Sequence, residues 1–197
     1  MPNNPIINAK FIAPGTKQFI IKAPLIASKR KAGQFAILQI SEQGERVPMT
    51  IVDSDSSSGT ISLIVQGIGK TTIEMNKINT GDQIHYLVGP LGTPSRIEHF
   101  GNVVVIGGGV GTAVSFPQVQ ALKEAGNCVT AIIGARTRSM VILEKEIRQI
   151  GDAFSVCKNK GTSDTGSATV ISAMGAGRLA ARSINAYLKS KPIAEKV

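Results

Sequence analysis

From residue 6 to about residue 98, apolar positions fall in short runs without helical periodicity. β-Forming side chains concentrate at 6–11, 16–21, 34–40, 49–53, 60–66 and 83–88. Between them lie Pro14 and Gly15, Ala32 and Gly33, Gln43 and Gly44, the Asp/Ser/Gly run 55–59, and Thr80, Gly81 and Asp82, all turn chemistry. Strands at a spacing of about 8–15 residues predict a small antiparallel β-barrel. One short helix, 71–75, interrupts it.

The pattern changes at Gly101. Val103, Val104, Val105 and Ile106 predict a fully buried strand over 102–106, followed by a helix at 112–125 and a strand at 128–133. A loop containing Gly134, an amphipathic helix at 140–149 and a short strand at 154–157 complete an alternating unit. Strand–helix–strand–helix–strand is the order of a parallel, Rossmann-like α/β sheet. The sequence reads as three parts: 1–98, 99–157, and a tail at 158–197 with a polar join and a helix over 167–188.

The strand at 102–106 ends in Gly107, Gly108, Gly109, Val110 and Gly111, and a helix opens at Thr112 and Ala113. Glycines there let a phosphate approach bare backbone N–H groups at the positive end of a helix dipole. The spacing G-x-G-x-x-x-A is looser than the strict dinucleotide fingerprint, so on this motif alone a tight turn and a phosphate loop stand equal. The right-handed crossover puts the loop at the carboxyl edge of the sheet, where ligands bind.

Four further stretches qualify this picture. Arg46 and Thr50 bracket Pro48 and Met49 at the start of a strand; the Arg fork suits a pyrophosphate, but on this hexapeptide alone an ordinary edge strand with a surface Arg is the favoured reading. Gly69, Lys70, Thr71 and Thr72 open the short helix and form either a phosphate nest or a capped turn. Gly89, Pro90, Leu91 and Gly92 read as a rigid turn closing the barrel. Arg136 and Arg138 follow the second parallel strand, where arginines favour or tolerate a ribose 2′-phosphate; they hint at NADP over NAD, although loop arginines are common and the choice of donor stays open. His85 and His99 read as strand and linker residues, and Cys128 as inert core. No hydrolytic constellation or metal-ligand spacing stands out, whereas hydride or electron transfer leaves the chemistry to a cofactor.

Composition narrows the field. The net charge is +9, yet Lys and Arg are scattered, Trp is absent and only two Tyr occur, which argues against nucleic-acid binding. The densest cluster, Lys29, Arg30 and Lys31, reads as a solvated turn. No apolar run approaches the ~20 residues of a membrane span, the start lacks signal-peptide character, and two Cys make no disulfide framework. A cytoplasmic protein is expected.

In order, Arg46-x-Pro48-x-Thr50, Gly69–Lys70–Thr71–Thr72, Gly89–Pro90–Leu91–Gly92 and the Gly107–Ala113 loop resemble the ferredoxin-NADP reductase superfamily. The resemblance is nearest to the small subunit of NADH-dependent ferredoxin:NADP oxidoreductase, also known as the sulfide dehydrogenase beta subunit. The dihydroorotate dehydrogenase electron-transfer subunit is a close relative. The resemblance covers about residues 6–157. It implies FAD in the barrel, with Arg46, Pro48, Met49 and Thr50 along the flavin, ribityl and phosphate portions. Gly69, Lys70, Thr71 and Thr72 would hold the pyrophosphate. NAD(P)H would approach across Gly107, Gly108, Gly109, Gly111, Thr112 and Ala113, with Arg136 near its adenosine end.

Two departures qualify the resemblance. The family supplies a cysteine-rich segment for a [2Fe–2S] cluster, whereas the 40 residues after Cys157 contain no Cys, so no iron–sulfur cluster is expected. The tail instead resembles the C-terminal end of the partner subunit, a glutamate-synthase-small-chain-like flavoprotein. The expected activity is flavin-dependent electron transfer from NAD(P)H to that flavoprotein or a ferredoxin-type acceptor, with no catalytic side chain required. The alternative is a non-catalytic flavin- or nucleotide-binding module, because a sheet cut after three strands loses part of the nicotinamide pocket. The open sheet edge would be covered by the 167–188 helix or by a second copy of the chain.

Overall fold

The computed structural model describes residues 4–158; the predicted tail helix at 167–188 lies outside them. Eight strands form the antiparallel part: β1 (Asn4–Ala13), β2 (Thr16–Lys22), β3 (Phe35–Gln39), β4 (Val47–Thr50), β5 (Asp53–Asp55), β6 (Thr60–Gln66), β7 (Gln83–Ile84) and β8 (Tyr86–Leu91). They make one sheet in the order β5-β6-β2-β1-β7 and another in the order β4-β3-β8. The β2–β6 ladder pairs without a break from Thr16↔Gln66 to Lys22↔Thr60. Phe19, Ile21, Ile61 and Leu63 of the first sheet meet Ala36 and Leu38 of the second in one buried core. Two helices close that core, α1 (Pro24–Ala27) through Ile26 and α2 (Lys70–Met75) through Met75.

The predicted strand at 49–53 is two strands. β4 ends at Thr50 and β5 begins at Asp53, in different sheets. Between them Ile51 enters the antiparallel core while Val52 enters a second core. The Arg30 guanidinium fixes this crossing, donating from Nη2 to the Ile51 and Val52 carbonyls at 3.1 and 2.8 Å. Arg30 is therefore half-buried and not part of a solvated turn. The Gly89–Leu91 segment, read as a turn, belongs to β8. His85 is an exposed residue between β7 and β8.

The parallel part holds β9 (Asn102–Gly108), β10 (Cys128–Ala135) and β11 (Ala153–Lys158), ordered β11-β10-β9. Helices α3 (Gly111–Glu124) and α4 (Glu144–Ile150) cover one face. The predicted helix at 140–149 instead begins at Glu144, after a 3₁₀ turn at Arg138–Met140 and a left-handed Leu143 (φ 57°). Ile142 and Ile147 are buried, and Glu144 and Glu146 in the first turn complement the helix dipole. β9 is not fully buried. Val103 and Val105 pack toward the core, whereas Val104 and Ile106 point away, 37% and 54% exposed. Two causes act together: β9 is an edge strand among the described residues, and its helices lie on one side. Cys128 is half-buried at the start of β10.

The two parts share packing. Ala13, Val52 and Ile64 from the antiparallel sheets join Ala113, Phe116, Val119 and Leu122 of α3 in one cluster. The connecting segment is pinned by Asn127, whose Oδ1 accepts from the Phe100 and Gly101 N–H groups. Its Nδ2 donates to the Glu98 and Leu122 carbonyls, both at 2.8 Å.

Candidate functional site

β4 lies at the edge of its sheet, which is why it tolerates Pro48; Pro48, Met49 and Thr50 pair with Ile37, Ala36 and Phe35. Arg46 precedes β4, exposed, with its guanidinium carbon 5.0 Å from the centre of the Tyr86 ring. Tyr86 pairs with Gln39 on the opposite side of β3, so Arg46 reaches across that strand to a flat, fixed support.

α2 supplies the second group. The Thr72 hydroxyl accepts from the Ile68 and Gly69 N–H groups at 3.0 Å and closes the helix start. The N–H groups of Lys70, Thr71 and Thr72 are left without a hydrogen-bond partner among the described residues. Lys70 is exposed, while Thr71 is 7% exposed with its hydroxyl donating to the Glu45 carboxylate. That contact joins the α2 start to the residue before Arg46, so two separate sequence motifs meet at one corner.

The far end of α2 is anchored as well. Buried Lys17 on β2 donates to the carbonyls of Ile78 (2.6 Å) and Asn76 (3.2 Å) and to Asn79 Oδ1 (3.3 Å). Phe11 and Phe19 flank its ammonium at 5.1 and 5.7 Å. Three acceptors satisfy the three donors of a cation that burial would otherwise penalise.

At the third group, β9 feeds α3 through the glycine loop. A Cβ on Gly107 would lie 2.8 Å from the Thr112 Cα and 2.5 Å from the Ser115 hydroxyl, so only glycine lets the helix approach the strand this closely. Gly109 adopts φ +54° and donates to the Gly134 carbonyl at 2.7 Å. Gly108, Gly109 and Gly111 have open space where a side chain would stand. Thr112 and Ala113 are buried in the first turn of α3.

Arg136 lies two residues beyond Gly134, exposed on the same carboxyl edge of the sheet. Arg138, its sequence-level companion, is engaged by Glu144, which Arg148 also holds at 3.1 Å. Arg138 first, then Arg148, holds the Glu144 carboxyl below its ordinary value, against some desolvation. The structure thus ties the α2 start to the segment that carries Arg46 through the Glu45–Thr71 contact, leaves Thr50 at the far end of β4, and brings the glycine loop and Arg136 to one sheet edge. Val52, two residues after Thr50, shares its apolar cluster with Ala113 and links the two groups.

Sequence reading missed Glu45, Tyr86, Lys17 and Asn127. Glu45 had a signal, as the neighbour of a singled-out Arg; the other three act through contacts remote in the chain. A cavity of about 520 Å³ lies elsewhere, lined by Arg30, Asp53, Ser54, Ser95, Pro117 and Glu124, and none of the predicted site residues borders it. Burial lowers the Arg30 pKa, opposed first by Asp53 and then by Glu124. Among the described residues no group of three or more His, Cys, Asp or Glu is placed to hold a metal ion, and no helix is long and apolar enough to cross a membrane.

No protein-family model matches the chain. Among curated proteins it is 41% identical over 153 residues to the Thermotoga maritima homolog of the dihydroorotate dehydrogenase B (NAD(+)) electron transfer subunit. It is 24% identical over 155 residues to the dihydroorotate dehydrogenase B (NAD(+)) electron transfer subunit of Geobacillus thermodenitrificans. Over this stretch the chain is similar in sequence to those electron-transfer subunits.

The first match covers 78% of the chain and 54% of the relative, the second 76% and 60%, so the chain spans little more than half the length of these relatives. Among solved structures it matches an NADH-dependent reduced ferredoxin-NADP oxidoreductase described in work on flavin-based electron bifurcation. That match has a TM-score of 0.77 and 38% identity, covering 87% of this chain and 62% of the other. The antiparallel sheets and the parallel three-stranded sheet together make a ferredoxin reductase-like fold.

Proposed function

We propose that this chain is a flavin-dependent electron-transfer protein, with residues 1–98 as the flavin-binding unit and 99–157 as the nucleotide-binding unit. Bound FAD would accept hydride from NAD(P)H and deliver electrons one or two at a time, which is the chemistry the cofactor supplies. The supporting observation is the corner at the start of α2. Three N–H groups without a partner among the described residues, beside the exposed Lys70, form a donor set suited to a pyrophosphate, and the Glu45–Thr71 contact ties it to the segment that carries Arg46.

In this reading Met49 and Thr50 line the flavin and ribityl portions along β4, and Pro48 holds the edge strand. Tyr86 keeps Arg46 oriented, so less side-chain entropy is lost on binding. Gly107 keeps α3 close to β9, and the open space over Gly108, Gly109 and Gly111 admits the nicotinamide nucleotide. Arg136 stands toward its adenosine end, where a free guanidinium favours a 2′-phosphate. No side chain acts as acid or base. The electron acceptor is a partner flavoprotein of the glutamate-synthase small-chain type or a ferredoxin-type protein, and the protein acts in the cytoplasm.

The exposed outer face of β9 favours a second reading, a flavin- or nucleotide-binding module without turnover. Visible absorption of the purified protein, before and after anaerobic NADH or NADPH, separates the two. Flavin bands that bleach establish the reductase and its donor. Bands that persist leave a binding module, and a protein that takes up no added FAD overturns both.

A further inference from the structure

The antiparallel and parallel parts meet through apolar packing at one place and across open space at another. Val52 and Ile64 share a cluster with Phe116 and Val119 of α3. Pro117 and Glu124 of the same helix instead line the cavity of about 520 Å³ together with Asp53 and Ser54 of β5. Packing alone therefore does not fix how the two parts are set against each other, and one side chain stands at the gap. Arg30 lines the cavity and donates from Nη2 to two consecutive carbonyls, Ile51 at 3.1 Å and Val52 at 2.8 Å. Those two residues are the crossing itself, Ile51 in the antiparallel core and Val52 in the core shared with α3. The Arg30 Nε is buried without a hydrogen-bond partner, so the guanidinium is held there despite an unsatisfied donor. Asp53, next after the crossing, and Glu124 on α3 supply the negative charge that offsets its burial.

We propose that Arg30 is a positioning residue for electron transfer: by pinning the Ile51–Val52 crossing, it sets β4 against the first turn of α3. The inference rests on reading β4 as the flavin strand and the Gly107–Ala113 loop as the seat of the nucleotide. Thr50 stands one residue before the pinned pair, and Ala113 belongs to the cluster of Val52, so a shift of the crossing moves one segment relative to the other. Hydride transfer depends steeply on the separation of the reacting atoms, and a misplacement of about 1 Å costs up to ~100-fold in rate. Arg30 itself touches neither ligand in this reading, because none of the assigned site residues borders its cavity. Its loss should fall on the rate and spare the affinities.

The test compares the wild type, Arg30→Met and Arg30→Lys as full chains. Met keeps an unbranched side chain and removes both hydrogen bonds, whereas Lys keeps a single donor nitrogen, which is all that the two bonds use. With FAD bound, the rate of flavin bleaching at saturating NADH or NADPH should fall about 10- to 100-fold in Arg30→Met, with Arg30→Lys in between. The Kd for FAD and the half-saturating nucleotide concentration should stay within about threefold. In the flavin-free proteins, amide exchange should quicken at Ile51 and Val52, whose N–H groups donate to the Gln34 and Ser62 carbonyls. The β2–β6 ladder should keep its protection, which also shows that the variant is folded. Should Arg30→Met fail to fold, Arg30→Lys is judged by the same split between rate and affinity.

An unchanged bleaching rate in Arg30→Met, with faster exchange at the crossing, makes Arg30 a structural pin alone and overturns the inference. A loss of FAD affinity as large as the loss of rate overturns it as well. If the wild type takes up no FAD, or binds it and neither nucleotide bleaches it, the electron-transfer reading itself falls and the inference falls with it.

Discussion

β6 and β9 are both seven-residue, apolar-rich strands, yet they end in opposite situations. In β6, Ile61 through Val65 are buried without interruption: Ile61, Leu63 and Val65 face the antiparallel core, and Ile64 faces the core shared with α3. In β9 only Gly107 is buried, and Val104 and Ile106 stand on the exposed face. An apolar run shows that a strand can be buried on both faces. Its place in the sheet and the side on which the helices lie decide whether it is. β6 has a neighbour on each edge and a core on each face, whereas β9 has one of each among the described residues.

The contrast is breakable by mutation. Leu63, fully buried, should lose about 2–5 kcal/mol of stability on Leu63→Ala in urea unfolding, while Ile106→Ala should stay within about 0.5 kcal/mol. Similar losses at both positions would mean that the outer face of β9 is covered in solution. Asn127→Ala comes next, at roughly 2–4 kcal/mol, because it strands the Phe100 and Gly101 N–H groups and frees two carbonyls. Gly107→Ala should cost about 1–3 kcal/mol by forcing α3 off β9, with the loss read in the same unfolding curves.

The smallest effects are electrostatic and pH-dependent. Asp55, the last residue of β5, is lowered from 3.8 to about 2 by the Ser58 hydroxyl and the N–H groups of Ser57 and Ser58. A depressed folded-state pKa gives stability that is present above the unfolded value and lost as pH falls through the folded one. The gap between wild type and Asp55→Asn should therefore hold at neutral pH, narrow below pH 3.8 and close near pH 2. In the parallel part, Asp152 is lowered chiefly by its hydrogen bond with Lys123 and then by the Val129 N–H. Asp152→Asn should be slightly less stable than the wild type at neutral pH, and the gap should close on acidification, followed by thermal unfolding across a pH series. A difference that grows on acidification would contradict both assignments.

Local signals were enough for the alternation of elements, because Gly, Pro, Asp and Ser punctuate the strands and the spacing changes at Gly101. They failed where one stretch serves two layers. The 49–53 run is continuous in hydropathy but bends between sheets at Ile51 and Val52, and the Arg30 side chain that fixes the bend comes from about twenty residues away. α1 is four residues long, too short for periodicity, and only Pro24 marks its start. α4 starts late because Leu143 turns left-handed, which a hydropathy pattern does not report.

At the candidate site, the motifs identified which backbone segments lie exposed at the corner and at the sheet edge. The side chains that hold those segments in place, Lys17 beneath α2 and Tyr86 beneath Arg46, announce themselves only through long-range pairing.

The cluster that runs from Ala13, Val52 and Ile64 into Phe116 and Val119 has a bearing on how the molecule comes apart. Separating the antiparallel sheets from the helical layer would wet that whole apolar surface at once, so the chain has no comfortable halfway state. Loss of either part should carry the other with it, as a single cooperative event. The two halves of such a molecule share one fate. A fault introduced in the parallel layer is then felt as a fault in the antiparallel layer, even where no atom of the latter has been touched.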